Sequence, residues 1–487
     1  MFATRRFVSG VTAKARDRFT REQVVNTALL GLLLLGLPLL LASLSKTLND
    51  GDVSWHVATG RWIVQHGQIP TTDPFSFTAF GRPWVPSEWF ADLIFSGAFA
   101  LSSYAGLAAV VAASLMTLNG IVFAYLRRFV GPIGLTTVIV GMNIVLSPYV
   151  TPRPHVLVWP LLAGWVVLLL EASKTSRPPR LPSVLILIAW ANIHGSFVLA
   201  LPIAAAIGFD TLLRAHWNGW QAWAVFILAA AAALLINANG VGGVLQPFRT
   251  ENLKMLPLIQ EWQPGSPSVT PQFYGILLLG LGALLLKGVK VPVGQLLLLL
   301  LMLGMAFSQL RHQSWFIVVA ALLLTPHFET RNIAHPSVAP FAIAAIPALL
   351  LRAALTLTPP ETPSNPWHLL AAVPQSLRDQ HVFNGYSFGG PLILSGTRPY
   401  IDGRAELYGD PFVLEYSAIA GGDWGKFNEV VRRYDIRWAI LSRAEQPLIR
   451  ELDASQSWRL AYSTGAGAIY VRRDVGQLSS PKAHLKI

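Results

Sequence analysis

Two carboxylates two positions apart, Asp50 and Asp52, stand just beyond an apolar run, in Asn49-Asp50-Gly51-Asp52-Val53-Ser54-Trp55-His56. Acids at this spacing can converge on a cation, or one can act as a base toward an incoming hydroxyl. The ordinary reading is a solvated loop in which either aspartate caps the stretch after Val53. Against it stands a concentration of tryptophan (Trp55, Trp62, Trp84, Trp89) that a solvated loop does not need. His56 follows Asp52 by one turn and either lines a site or bonds a neighbour; Glu88 and Asp92 close the same polar segment.

Cations suited to a departing anion lie at the ends of other apolar runs: Arg153, and Arg311 with His312. Their plain alternative is snorkelling to lipid headgroups. His194 sits in Asn192-Ile193-His194-Gly195, which interrupts an apolar stretch, and serves either to stabilise a broken helix or to touch substrate. Glu261, in the long 237–272 loop, either faces the same cavity or is solvated.

The elements that must position these residues are apolar. Of 487 residues, 53% are hydrophobic and 13% charged, against about 25% charged in soluble domains. That excludes an ordinary soluble enzyme. The absence of cysteine excludes disulfides and thiolate metal sites. Runs near 24–44, 104–126, 133–149, 154–170, 221–236, 273–287, 293–308, 313–326 and 338–356, with a broken pair across 183–209, give about eleven membrane segments. The expected organisation is a basic cytoplasmic N-terminus (1–23) and a polytopic domain (24–356) with a first outer loop at 45–103. A Pro-rich linker (357–380) and an extracytoplasmic tail domain (381–487) complete it. An amphipathic surface helix is expected over 88–101.

Charge sets the orientation. The net charge is +12. Segments assigned to the cytoplasm hold 15 Lys and Arg against 5 Asp and Glu, while the external loops hold 7 of each. The excess follows the positive-inside rule rather than a nucleic-acid partner, which is set aside.

In the tail, strands are expected at 391–395, 399–402, 437–442, 457–463 and 467–472, with helices near 411–420, 424–434 and 445–453, an α/β or α+β fold. Asp402-Gly403-Arg404 with Glu406 reads as a turn held by an Asp–Arg pair; the functional alternative is a domain that covers the cavity or binds the acceptor. No nucleophile elbow, phosphate-binding glycine loop or zinc signature is present.

The first loop resembles that of bacterial multi-spanning glycosyltransferases of the GT-C superfamily. The matching positions are Asp50, Asp52, His56, Gly67, Ile69, Pro70, Asp73, Pro74, Phe75, Ser76, Glu88 and Trp89, with Ser54 where an aromatic is usual. Arg153-Pro154, Trp190 to Gly195, Glu261-Trp262 and Ile401 to Arg404 extend the likeness. The resemblance implies a polyprenyl-phosphate sugar donor, a glycan, lipid or protein acceptor, and inverting transfer without an enzyme nucleophile. Asp50 is the first choice for the base and Asp52 the second; His56, Glu88, Arg153, His194, Glu261, Arg311 and His312 are the substrate-binding candidates. Some members need a divalent metal and others do not, so Asp50, Asp52 and Glu88 are also candidate ligands. The expected protein is an all-α polytopic membrane transferase with an extracytoplasmic α/β tail, among the lipids of a bacterial inner membrane and active at its outer face. The alternative is a non-enzymatic lipid-glycan flippase or polymer-assembly component.

Overall fold

The computed structural model describes residues 25–328 and 339–474; the basic N-terminus expected over 1–23 and most of the cytoplasmic loop expected at 327–337 lie outside the described residues. The apolar runs are helical. In chain order they form α1 (Val25–Ser43), then α2 (Asp52–His66) in the first loop, α3 (Trp89–Leu126), α4 (Pro132–Leu146) and α5 (Pro154–Ser173). There follow α6 (Leu185–Ala191), α7 (Ala200–Arg214), α8 (Trp220–Leu234), α9 (Val241–Glu251), α10 (Pro271–Lys287), α11 (Val293–Ser308), α12 (Gln313–Leu324) and α13 (Ala339–Ala354). Proline opens α4, α5 and α10, where its missing N–H would have no helical partner anyway.

Five helices are long and apolar enough to cross a membrane: Val25–Ser43, Trp89–Leu126, Pro132–Tyr149, Pro154–Ser173 and Gly195–Arg214. Leu181–Ala191, Trp220–Leu234, Pro271–Lys287, Val293–Ser308 and Pro340–Ala354 are apolar but shorter. Length and composition thus support a multi-pass membrane protein, with five of the expected segments long enough on their own. The inner core joins Leu115 and Val122 of α3, Trp159 and Trp165 of α5, Ile203 of α7 and Val318 of α12. α10, by contrast, exposes Leu278, Leu279, Leu285 and Leu286, the signature of a face turned to lipid.

The expected surface helix at 88–101 is the first limb of α3. Ser102 (φ −155°) and Ser103 (φ 51°) leave helical geometry and bend the chain. Gly106 then passes so close to the Ala98 carbonyl that a side chain there would collide with it. Before the bend, the limb buries Ala91, Asp92 and Phe95.

The expected interruption at Asn192–Gly195 is also present, and the Asn192 side chain is bonded through both its nitrogen and its oxygen. The Asn192 side chain donates to the carbonyls of Ile188 and Ile236, 2.8 Å each, and accepts the Trp89 indole N–H at 2.7 Å. A buried break in an apolar helix needs such partners for its freed backbone.

The tail holds a four-stranded sheet: β1 (Val382–Asn384), β2 (Trp438–Ser442), β3 (Trp458–Ser463) and β4 (Gly467–Arg472), in the order β1-β2-β4-β3. β1 runs parallel to β2 and the remaining pairs are antiparallel. Side chains alternate across β2: Ala439 and Leu441 join Phe383, Tyr416 and Phe427 on one face, while Trp438 and Ile440 join Leu369, Leu377 and Leu392 on the other. The helices are α14 (Gly389–Leu394), α15 (Asp410–Ala420), α16 (Trp424–Tyr434) and α17 (Gln446–Ala454).

Two expected strands are corrected. Residues 391–395 belong largely to α14, and 399–402 pair with no strand, because the Asn384 side chain takes the Tyr400 N–H at 2.8 Å in place of a ladder. The parallel strand β1 was not expected: three fully buried residues show no alternation to read.

Candidate active site

Arg153 precedes Pro154, and a residue before proline is held extended, here at φ −111° and ψ 158°. Its guanidinium thereby reaches three acids. Nε lies 2.5 Å from Asp50 Oδ2, Nη2 donates to Asp50 Oδ1 at 2.8 Å and lies 2.7 Å from Asp52 Oδ2, and Nη1 donates to Glu261 Oε2 at 2.9 Å. Asp50 Oδ1 also accepts the Asp52 N–H at 3.1 Å, tying it to the start of α2.

A second cluster continues from Glu261. Its Oε1 is 3.7 Å from Arg311 Nη1, and Arg311 stacks over Trp262 at 4.2 Å while Nη2 lies 3.4 Å from His194 Nε2. His194 caps the turn after the helix break by accepting the Ser196 N–H. Its Nε2 is 3.7 Å from Glu88 Oε1, and Glu88 Oε2 is 3.9 Å from His56 Nε2. His56 Nδ1 closes the series at Asp92 Oδ1, 2.6 Å away and buried. One contact chain therefore joins Asp50, Asp52, Arg153, Glu261, Arg311, His194, Glu88 and His56. His312 is not in it: its Nδ1 donates to the Met305 carbonyl at 3.2 Å.

Burial sets the charge states. Asp52 is pushed up to about 7 by burial, against Arg153 and with help from Asp50. Burial raises Glu88 to about 8, opposed by Arg311. His56 and His194 are held well below the usual imidazole range by burial and by the nearby arginines, so both rings are neutral. Glu261, despite burial, is held low by Arg153 and Arg311. The site thus combines a carboxyl that titrates near neutrality, one that keeps its proton there, and Arg311, whose closest carboxylate oxygen is 3.7 Å away.

The tail supplies one wall. A Cβ at Gly403 would collide with the Asp52 carboxylate, and one at Gly390 with the Gly51 carbonyl. Neighbouring Arg404 is buried, with Nε and Nη2 on Asp402 at 2.8 and 2.6 Å and Nη1 on Asp73 at 2.7 Å, while its plane lies 4.5 Å over Trp84. The Asp402–Arg404 pair expected of a strand-ending turn is therefore present, although the turn ends no strand, and it is locked to the first loop. Asp410 accepts the N–H groups of Lys254 and Met255 at 3.0 Å, holding the 237–272 loop that carries Glu261 against the tail.

Sequence reasoning gave Trp262 and Gly403 no role of their own, and counted Asp92 among the acids of the first loop without finding its His56 partner. Trp262 was quoted only within a motif, and Asp92 reads as an ordinary acid in the first turn of a helix. Metal ligation is a poor fit: Arg153 fills the space between Asp50 and Asp52, and among the described residues no three His, Asp or Glu converge on a cation position.

No protein-family model matches the chain, and no curated protein matches it. Among solved structures it is similar to the Archaeoglobus fulgidus oligosaccharyltransferase. The apo crystal form aligns at TM-score 0.52 and 10% identity over 91% of this chain and 74% of that one. The form tethered by a disulfide to an acceptor peptide with the NVT sequon gives 0.52 and 11% over the same shares. This likeness is one of fold.

Proposed function

We propose that the protein is a membrane glycosyltransferase that moves a sugar from a polyprenyl-phosphate donor to a glycan, lipid or protein acceptor at the outer face of a bacterial inner membrane. The observation that carries the reading is the Asp50–Asp52–Arg153–Glu261–Arg311 network: three acids and two arginines gathered beside the ends of apolar helices, on a fold like that of an oligosaccharyltransferase. The peptide-tethered state of that neighbour supports a protein or glycan as acceptor.

In this mechanism Asp52, rather than the sequence's first choice Asp50, takes the proton from the acceptor hydroxyl. Asp50 has both oxygens on Arg153 and keeps 11% of its side chain exposed; Asp52 keeps 23% and titrates near neutrality, where a general base works best. The acceptor oxygen forms its bond to the anomeric carbon as the bond from that carbon to the phosphate oxygen breaks, and the phosphate leaves with the electron pair. Arg311 receives it, with the neutral rings and protonated Glu88 lining the same side. Arg153 is committed to three carboxylates and acts as their holder.

The test is sugar transfer by the purified protein in liposomes carrying polyprenyl-phosphate sugars. Transfer by the wild type with loss in Asp52→Asn is expected. Equal transfer by the wild type, Asp52→Asn and Asp50→Asn would sink the site assignment, and lipid movement across the bilayer without transfer would favour the flippase alternative.

A further inference from the structure

α9 turns its apolar side away from the protein. Val241, Leu245 and Phe248 recur at the spacing of one helical face and are 63%, 42% and 54% exposed. The opposite face carries small or polar residues and Pro247, and it meets the protein: Gly243 is buried, and Gln246, Pro247 and Thr250 are half-buried. A Cβ on Gly195 would stand 3.3 Å from the Pro247 ring, so this face rests on the turn after the helix break. Val244, at the edge between the two faces, packs on the helical core. A surface helix ordinarily does the reverse, burying its apolar side and wetting the other. An apolar face offered outward calls for a cover other than water.

The place of α9 identifies that cover. Asn237 donates to the carbonyls of Leu234 and Gly240, at 2.8 and 3.0 Å, and so starts α9 directly at the end of α8. At the other end Gln309, the residue after α11, donates to Glu251 at 2.6 Å. α9 thus runs across the ends of two apolar helices. These are short: α8, α10 and α11 hold 15, 17 and 16 residues, which at 1.5 Å each span about 22–26 Å, against about 30 Å of bilayer hydrocarbon. A helix lying across such ends lies within reach of acyl chains, at the depth of amphipathic helices that rest in a membrane interface. Leu235 and Ile236, in the link from α8, are exposed as well. Arg249 is exposed one turn after Leu245, where its stem crosses the apolar border and its head reaches phosphate.

We propose that α9 lies in the plane of the leaflet nearer the carboxylate–arginine network, with Val241, Leu245 and Phe248 among the acyl chains of bilayer phospholipids and Arg249 at their headgroups. The face shares no residue with that network, so it stands or falls apart from the transferase reading. Its bearing on the site runs through Pro247, which rests on the turn that holds His194 Nε2 3.4 Å from Arg311.

The chain has no cysteine, so one introduced cysteine carries a nitroxide label at one place. Val241→Cys, Leu245→Cys and Phe248→Cys are each made in the full chain and reconstituted in liposomes of phosphatidylethanolamine and phosphatidylglycerol. Electron paramagnetic resonance then compares them with Glu451→Cys, at an exposed position of α17, using oxygen, which concentrates in the bilayer, and a nickel chelate, which stays in water on both sides. Oxygen should outweigh nickel at the three α9 positions, at a depth of about 5–10 Å, and nickel should outweigh oxygen at 451. Labels at 241 and 248 should lie at one depth. A difference near the 10 Å or so that seven residues of an upright helix would span overturns the in-plane seat. Nickel access as free as at 451 overturns the lipid contact, and shielding from both reagents overturns it in favour of a protein partner or a second copy of the chain. The three positions are exposed, so melting temperatures within a few degrees of the wild type are expected, and loss of one variant to misfolding leaves the other two to decide.

Discussion

Gly403 of the tail lies against the carboxylate of Asp52 at the start of α2, so closely that a Cβ on the glycine would occupy the place of an oxygen atom. The position therefore tests whether the tail is part of the site. Gly403→Ala should push Asp52 from Arg153 or lift the turn, lowering transfer roughly tenfold or more, the scale of a misplacement of the reacting groups. Because Arg404 next to it stays locked to Asp402 and Asp73, the melting temperature should change little. The decisive readout is the pH–rate profile. A displaced Asp52 titrates differently, whereas a merely loosened tail leaves the profile where it was.

The raised Asp52 gives a pH dependence with a definite sign. As a base it must be deprotonated while Glu88 beside the phosphate keeps its proton, so the rate should climb as pH rises through about 7 and fall as pH passes about 8. Asp52→Asn should remove the rising limb and cost about 10²–10⁴ in rate. Stability moves the other way: burial lets the folded state keep the Asp52 proton far above the ordinary carboxylate range, so stability falls as pH rises from about 4 to about 7. At pH 8 Asp52→Asn should thus melt no lower than the wild type, since Arg153 keeps Asp50 and Glu261. A fall of many degrees there would assign Asp52 a structural role instead.

The outline of this site was legible in the sequence because chemistry and membrane disagree about charge. Asp50, Asp52, Arg153 and Arg311 sit at the ends of apolar runs and Glu261 in the long 237–272 loop, in a chain only 13% charged, and the alternation expected of the runs puts them on one face. Their pairing was not legible. Arg153 and Arg311 look alike as cations before an apolar stretch, and only the three-dimensional placement of Glu261 and the two aspartates shows that one is neutralised and the other less so. In the tail, Pro391-Leu392-Ile393-Leu394 reads equally as a short strand or a buried helix, a known ambiguity of short apolar runs. Close approach decides it: Gly389 and Gly390 open α14 directly against Asp402 and Gly51. The seat of Gly403 on Asp52 joins segments hundreds of residues apart, and no local pattern records it.

Arg153 and Arg311 should separate cleanly by substitution. Arg153→Gln leaves Asp50, Asp52 and Glu261 facing one another with only Arg311, 3.7 Å from Glu261, to offset them. At 23% exposure the cost should fall below the roughly 3–5 kcal/mol of a fully buried pair, visible as a lowered melting temperature together with lost transfer. Arg311→Gln removes a cation with a distant acid, at 3.7 Å, and should leave the melting temperature within a few degrees while cutting transfer by about 10²–10³, as for loss of a group that stabilises developing charge. Thermal melts and transfer rates on both variants decide. The reverse pattern would reassign the phosphate to Arg153.

Arg404 offers a test of how the tail is held. It is buried among Asp402, Asp73 and Tyr408, with every nitrogen on a carboxylate and its plane on Trp84. A lysine cannot reproduce the fork or the stacking, so Arg404→Lys should destabilise the tail by about 3 kcal/mol or more. Acid should act on the same lock. Burial notwithstanding, Arg404 and its hydrogen bonds hold Asp402 below the ordinary carboxylate range. That stabilisation is present above pH about 4 and disappears as pH falls through the depressed value. Limited proteolysis across the 357–380 linker, followed against pH, should show the wild type opening only in acid and Arg404→Lys cleaved already at neutral pH. Equal resistance of the two proteins at pH 7 would mean that the other seams, the Phe77 N–H bonded to the Pro399 carbonyl and Met255 in the tail core among them, hold the tail without the ion triad.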